Sequence, residues 1–212
     1  VQIVNADDPA WAALPAGRTR ITFGLGHGAM VHPGDLQQGN TGSRFRLKTP
    51  AGAAEVALPL LGEFNVANAL AAAATGYALG LTPQTIAERL TLAPQVPGRM
   101  ERLADRPAVV LRDYAHTPDA LERALAALRP LTAGKLIVVF GCGGDRDRGK
   151  RPVMGRIAAT AADLAIVTSD NPRTEDPEQI IDDVEQGMGA APHRRVTDRV
   201  QAIAAALEAA GP

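Results

Sequence analysis

The second half of the chain alternates short apolar runs with helical patterns, and this alternation limits the folds open to it. Apolar runs at 136–140 and 164–168 each lead through a polar loop into a helical pattern. Strands that alternate with helices form right-handed βαβ units around a parallel sheet. We therefore predict an α/β fold for residues 99–212, with a doubly wound, mostly parallel, Rossmann-like sheet.

The other elements of this half continue the same alternation. A strand is predicted at 109–111 and a short extended segment at 195–197. Thr117 is a candidate N-cap with Pro118 behind it, a combination typical of helix starts. The predicted helices span 117–128, 152–162, 177–188 and 200–210.

The first half has a different pattern. Alternating segments at 19–23, 44–48 and 55–58, separated by Gly and Pro, predict short and largely antiparallel strands. Helices are predicted at 64–79 and at 83–92, with Thr82 as N-cap of the second. Pro97 and Gly98 then interrupt the chain, so we place a domain boundary between 1–98 and 99–212.

Composition narrows the possible partners. The net charge of −1 and the aromatic content of 3% argue against nucleic acid and anionic membranes. A single cysteine, Cys142, excludes an internal disulfide framework and favours the cytoplasm. His27, His32 and His193 show no metal-ligand spacing and are expected to be surface residues.

Two polar loops follow the strands at 136–140 and 164–168, at the sheet edge where parallel α/β proteins bind ligands. The first loop carries Arg146, and the second carries Asp170, Asn171 and Arg173, with Pro172 fixing the backbone. Arginine can hold a carboxylate through two parallel hydrogen bonds, while Asp and the Asn carbonyl accept from an ammonium group. These loops therefore suit a zwitterionic amino acid. An ordinary Asx turn would explain Asp170 and Asn171 but gives Arg173 no role.

The glycines at 141–144 match neither GxGxxG nor the P-loop pattern, and a tight strand-to-helix turn would explain them as well. The charged stretch 145–151 could be a solvated surface. Arg146 is expected to point into the crevice between the loops. Lys150 and Arg151 are expected to support the loop and complement charge.

Asp113 and His116 follow the predicted strand 109–111 at the same sheet edge. The aspartate could accept from ribose hydroxyls or bind magnesium-linked water, and the histidine could donate to phosphate or to an oxyanion. The alternative is that Asp113 and Thr117 only cap the next helix. Asn65 and Asn68 lie three residues apart on one helical face, and one or both could bind a nucleotide base or a domain neighbour. The alternative, helix capping by Asn65 or interdomain packing, has nearly the same weight.

Six motifs in this order resemble those of the Mur ligases, in particular the members that add meso-diaminopimelate. They are Asn-Ala-Asp-Asp-Pro (5–9), Gly-Glu-Phe-Asn-Val-Ala-Asn (62–68), Pro-Gly-Arg-Met-Glu (97–101), Asp-Tyr-Ala-His-Thr-Pro (113–118), Gly-Cys-Gly-Gly-Asp-Arg-Asp-Arg-Gly-Lys-Arg-Pro (141–152) and Ser-Asp-Asn-Pro-Arg-Thr-Glu (169–175). The resemblance implies ATP- and Mg²⁺-dependent amide formation in peptidoglycan synthesis. In that reaction an acyl-phosphate of UDP-N-acetylmuramoyl-L-alanyl-D-glutamate is attacked by the amine of meso-diaminopimelate.

The resemblance also assigns roles by position. It places residues 170–173 in the diaminopimelate-recognition motif and Arg146 as a second carboxylate-binding arginine. The positions that it places in an ATP site between the central and C-terminal domains are Asn65, Asn68, Arg99, Asp113 and His116. Arg99 could equally be a surface arginine after a hinge.

Several family motifs do not occur in these 212 residues: the ATP loop, the carbamylated lysine, the magnesium ligands and the later Gly-Lys-Gly-His-Glu segment. We therefore expect a partial chain, comprising the second half of a Mur-ligase central ATPase domain and most of a C-terminal domain, and inactive by itself. Two alternatives remain open: a related ligase that adds lysine or glutamate, and a noncatalytic module that binds an amino acid or a nucleotide.

Overall fold

The chain divides into two units, Val1–Val96 and Pro97–Pro212. The computed structural model describes residues 1–15, 17, 19–106 and 108–211. The boundary that we propose from the sequence, after residue 98, lies just inside the second unit. None of the described helices is long and apolar enough to cross a membrane.

The first unit contains two sheets. Strands β1 (Gln2–Asn5) and β2 (Arg20–Phe23) pair in parallel, and β3 (His32–Gly39), β4 (Gly42–Thr49) and β5 (Gly52–Leu58) form an antiparallel sheet in that order. The antiparallel prediction is confirmed for 44–48 and 55–58 and is wrong for 19–23. Alternation along one strand indicates which side chains are buried but not the direction of its partner. Strand β3 escaped prediction because Pro33 and Gly34 interrupt its pattern.

Two helices complete the first unit, α1 (Glu63–Ala78) and α2 (Pro83–Thr91). Val66, Leu70 and Ala73 are fully buried and pack against the sheet residues Phe45 and Leu47. Their helical spacing gives α1 one apolar face towards the core. The predicted cap of α2 is present, since Thr82 Oγ1 accepts from the Thr85 amide at 3.2 Å.

The second unit contains the predicted parallel sheet. Strands β8 (Ile137–Phe140), β9 (Leu164–Val167) and β10 (His193–Arg195) lie in the order β10-β9-β8. Its helices are α3 (Pro118–Leu128), α4 (Lys150–Ala161), α5 (Pro177–Glu185) and α6 (Arg199–Ala210). The α/β class with a parallel sheet is therefore confirmed.

Strand β9 shows that both faces of this sheet are covered. Ala165 and Val167 pack with Met154 of α4 and Val184 of α5. Ile166, which points to the opposite face, is fully buried as well, and α6 contacts β8 and β9. Because β9 is central and buried on both sides, its carboxyl end delivers the following loop to a fixed place.

The predicted strand at 109–111 exists, as β7 (Val110–Arg112), but it does not continue the parallel sheet. It pairs antiparallel with β6 (Glu101–Ala104), a segment whose charged residues gave no strand signal. The expectation that Asp113 and His116 follow a strand of the same sheet is therefore wrong. The segment 101–104 supplies the hydrogen-bonding edge that β7 uses instead.

Candidate functional site

The loops after β8 and β9 are in direct contact through their backbones. We call residues 141–149 the glycine loop and residues 168–176 the proline loop. The Gly144 amide donates to the Asn171 carbonyl oxygen at 2.8 Å, and Arg173 Nη1 donates to the Gly144 carbonyl oxygen at 2.6 Å. The two segments predicted to share a ligand therefore form one surface.

The glycine cluster is explained by this close approach. A Cβ atom on Gly144 would lie 1.9 Å from the Pro172 carbonyl oxygen, and one on Gly141 would lie 2.2 Å from the Thr168 carbonyl oxygen. Such distances leave no room for any side chain. The glycines thus allow two loops to touch, which agrees with the turn alternative and needs no phosphate.

Replacing Gly144 by alanine is expected to destabilise the second unit by about 1–3 kcal/mol, the usual range for overpacking. The added methyl group would force the two loops apart. Urea unfolding measures the effect. Gly134 is the matched control because a Cβ there meets nothing within 4 Å. Equal stabilities for the Gly144→Ala and Gly134→Ala variants would show that the loops are not packed as described.

A second set of contacts involves Asp145, Thr174 and Glu175. The Asp145 carboxylate accepts from Thr174 Oγ1 at 2.8 Å and from the Thr174 amide at 3.1 Å, while the Asp145 amide donates to Glu175 Oε1 at 2.6 Å. Asp145 and Arg173 both have left-handed backbones, with φ of 53° and 51°. Non-glycine residues hold such a conformation only when their surroundings fix it. The reciprocal hydrogen bonds between the loops supply that constraint.

Arg151 is the fully buried cation beneath these loops. It binds Glu175 through two parallel hydrogen bonds, Nη2 to Oε1 at 2.8 Å and Nη1 to Oε2 at 3.0 Å, and Asp183 through Nη1 at 2.9 Å. The Glu175 hydrogen bonds raise the pKa of Arg151. Its position was predicted to be supportive, but the sequence did not reveal its partners, which lie 24 and 32 residues away.

The pKa of Glu175 falls from the usual 4.5 to about 2, first because Arg151 donates to the carboxylate and then because the Asp145 amide does. A lowered folded-state pKa stabilises the native state above the unfolded value of 4.5, and this stability is lost as the pH falls towards 2. We expect the urea midpoint of the wild type to drop between these values. The drop should be smaller in Glu175→Gln, and equal pH profiles would contradict the assignment.

The remaining amino-acid candidates lie on the surface that the two loops form. Arg146 is exposed and makes no hydrogen bond or ion pair with any described residue, so the expectation that it points into a crevice has no support in its contacts. Arg173 donates through Nη1 to the Gly144 carbonyl oxygen, and its other N–H groups remain available to a ligand. Asp170 is exposed, with one carboxylate oxygen 3.9 Å from Arg199 Nη1. Asn171 is exposed too, and the Gly144 amide binds its main-chain carbonyl oxygen rather than its side chain.

Asp113 has a structural task that sequence analysis missed. One carboxylate oxygen accepts from the Met100 amide and the other from the Ala115 amide, both at 2.9 Å. Met100 is buried with a left-handed φ of 49°. Asp113 therefore fixes the turn beside Arg99 rather than capping α3. Thr117 provides that cap by accepting from the Ala120 amide at 3.3 Å.

Arg99 and His116 both adjoin the exposed ring of Tyr114. The Arg99 guanidinium carbon lies 5.6 Å from the centroid of that ring, and the His116 ring meets it edge-on at 5.0 Å. His116 Nδ1 is 2.9 Å from the Tyr114 carbonyl oxygen, so this nitrogen carries the proton and the neutral ring offers Nε2 as an acceptor. Donation from Nε2 to a phosphate therefore requires a protonated ring.

Lys150 connects this group to the start of α4. Its Nζ donates to the His116 carbonyl oxygen at 2.8 Å. The segment 113–117 is thereby held next to the residues that follow the glycine loop. This contact brings the main chain of His116 to the start of α4, although β7 belongs to another sheet.

In the first unit, Asn65 is buried and Asn68 is exposed. Asn65 Nδ2 donates to the Leu61 carbonyl oxygen at 2.7 Å, and its Oδ1 receives a long hydrogen bond of 3.5 Å from Asn68. The side-chain hydrogen-bonding groups of Asn65 are thus paired within the first turns of α1. The side chain does not cap the helix, because it accepts from no main-chain amide there. Asn68 is the member of the pair whose side chain a ligand can reach.

No group of three or more His, Cys, Asp or Glu side chains suited to a metal ion occurs within the described ranges. We therefore assign no described residue as a magnesium ligand.

Comparisons with known proteins agree for both units. A profile described as "Mur ligase, glutamate ligase domain" matches residues 98–212, and one described as "Mur ligase middle domain" matches residues 1–76. A Gloeobacter violaceus protein named UDP-N-acetylmuramoyl-L-alanyl-D-glutamate–2,6-diaminopimelate ligase is 49% identical over 212 residues, covering 98% of this chain and 43% of the relative. The chain thus spans less than half the length of that relative.

Solved structures extend this likeness. A structure of a UDP-N-acetylmuramoyl-L-alanyl-D-glutamate–2,6-diaminopimelate ligase matches with a TM-score of 0.67 and 39% identity, covering 95% of this chain and 44% of the other. Folylpolyglutamate synthase from Mycobacterium tuberculosis, solved with ADP, has a TM-score of 0.72 at 23% identity, covering 90% of this chain and 42% of the other. The second match supports the fold alone.

Proposed function

This chain belongs to the Mur ligase family, and from that premise we propose that it provides the amino-acid-binding part of an ATP-dependent ligase in peptidoglycan synthesis. The ligase adds meso-diaminopimelate to UDP-N-acetylmuramoyl-L-alanyl-D-glutamate. The name of the 49% identical relative supports this choice of substrates.

The observation that carries the proposal is the joined pair of loops with Arg146 and Arg173. Both guanidinium groups keep donors for a ligand, and Asp170 lies on the same surface. Meso-diaminopimelate has carboxylates and ammonium groups at both ends. We assign Arg173 to the distal carboxylate, Arg146 to a second carboxylate contact, and Asp170 with Asn171 to ammonium donors.

In this arrangement the two loops bind meso-diaminopimelate and orient the amine that attacks the acyl-phosphate. Lysine offers an ammonium group at the same distance but no distal carboxylate, so it leaves the Arg173 donors unpaired. An unpaired charged group in a binding site disfavours the wrong substrate strongly. The two loops therefore supply substrate selection, and the chemistry of acyl-phosphate formation belongs to the bound nucleotide.

For ATP we propose Arg99, His116 and Asn68 as the residues with exposed groups, and we assign Asp113 and Asn65 to holding the segments that carry them. Arg99 is a cation that suits phosphate charge. His116 accepts through Nε2 when neutral and donates only when protonated. We assign none of these residues as a Mg²⁺ ligand.

The test uses the product of the complete gene that encodes these residues. Phosphate release from ATP is measured with UDP-N-acetylmuramoyl-L-alanyl-D-glutamate and either meso-diaminopimelate, lysine or glutamate. We expect turnover that requires meso-diaminopimelate. Equal kcat/KM for lysine, or preference for glutamate, would assign the chain to another Mur-type ligase. Binding of NAD without any turnover would favour a noncatalytic module.

A further inference from the structure

Beneath the glycine loop and the proline loop lies a buried ion pair that the proposed function does not use. Arg151, on α4, is fully buried, and the side chain of its partner Glu175, in the proline loop, is 11% exposed. Asp183 holds the Arg151 guanidinium from α5 at 2.9 Å. The pair is thus anchored to two helices that pack on the sheet.

Glu175 joins the two loops through one carboxylate group. Its Oε1 accepts from the Asp145 amide at 2.6 Å and from Arg151 Nη2 at 2.8 Å. Its Oε2 accepts from Arg151 Nη1 at 3.0 Å and forms an ion pair with Arg148 Nη2 at 2.9 Å. Both oxygens are engaged, so the carboxylate cannot rotate without breaking charge-assisted hydrogen bonds.

The residues that Glu175 fixes are neighbours of the proposed substrate ligands. The Asp145 amide lies one residue before Arg146, and Glu175 itself lies two residues after Arg173. Asp145 and Arg173 have the left-handed backbones that need outside support. The backbone next to both arginines therefore adjoins contacts of the same carboxylate.

Resting on the proposed function, we propose that Arg151 and Glu175 are positioning residues that set the spacing between Arg146 and Arg173. That spacing decides whether both arginines reach one dicarboxylic amino acid. Neither residue of the pair is among the proposed substrate ligands. A buried ion pair adds little stability by itself, but its two parallel hydrogen bonds fix a direction, and small misplacements of ligand-binding groups have large effects.

The first test measures the loops directly in this chain, without any ligand. Amide hydrogen exchange followed by NMR should be at least about tenfold faster at Gly144 and Asp145 in the Glu175→Gln variant, because local opening becomes easier. The Ile166 amide in β9 should not change. Glu185→Gln is the matched control, since Glu185 pairs with Arg195 away from both loops. Unchanged exchange at Gly144 and Asp145 would overturn the proposal.

The second test measures selectivity in the complete gene product. Glu175→Gln should raise KM for meso-diaminopimelate roughly tenfold or more and reduce the preference over lysine, with KM for ATP nearly unchanged. A residue that only stabilised the fold would lower the amount of active enzyme and leave KM alone, which would overturn the proposal. Arg151→Lys, which keeps the charge but lacks the planar fork, should repeat the KM effect.

The two measurements can fail independently of each other. A wild type without diaminopimelate-dependent turnover would refute the proposed function, whereas the exchange measurement would still decide whether Arg151 and Glu175 position the loops. Arg151→Lys gives the same decision if Glu175→Gln does not fold.

Discussion

Replacing Arg173 by alanine is expected to raise KM for meso-diaminopimelate by roughly 30- to 1000-fold. This range corresponds to about 2–4 kcal/mol, the loss expected for a charge-assisted bidentate pair in a partly desolvated site. The KM for ATP should change little, since the proposed nucleotide residues lie elsewhere. Steady-state kinetics of the complete gene product, with each substrate varied in turn, gives both values.

Arg156→Ala is the matched control, because Arg156 is an exposed arginine of α4 outside both loops. It should leave both KM values near those of the wild type. Equal effects of Arg173→Ala on ATP and on meso-diaminopimelate would count against the assignment. A large fall in kcat at saturating meso-diaminopimelate would place Arg173 in the chemical step instead.

The Arg151→Met variant is expected to lose about 3–5 kcal/mol of folding free energy. Removing one partner of a buried ion pair leaves the other charges uncompensated, and here Glu175 and Asp183 would face each other across an apolar side chain. Urea unfolding at neutral pH, followed by circular dichroism, measures the loss.

An exposed ion pair serves as the control that distinguishes the effect of burial from the effect of losing a charge. Arg129 and Asp163 are joined at 2.7 Å, but their side chains are 41% and 46% exposed. Arg129→Met should therefore cost only about 0–1 kcal/mol. A similar cost for Arg151→Met would mean that Arg151 is not the buried centre of the loop packing.

Elements with local signals were predictable from the sequence. The Thr82 and Thr117 caps and the strand–helix alternation after residue 136 depend on residues close together in the chain, and the structure contains them. The pairing of β7 with β6 and the parallel pairing of β1 with β2 were not predictable, because strand pairing depends on the packing around a strand more than on its own residues.

In the candidate site, too, some residues could be predicted from the sequence and others could not. Arg146 and the segment 170–173 could be singled out because strand ends in parallel sheets carry ligand-binding loops. The contacts that hold these residues in place could not be predicted. Asp113 holds the amide of Met100, which lies 13 residues earlier, and Glu175 is 24 residues from Arg151. Nothing in the local sequence marks which acid meets which arginine once the chain has folded.

The most direct measurement of the central claim is a crystal structure of the complete gene product with meso-diaminopimelate bound. We expect that the Arg173 guanidinium donates to the distal carboxylate and that Arg146 contacts a carboxylate of the same molecule. A ligand bound away from the glycine and proline loops, or held by only one of the two arginines, would contradict it.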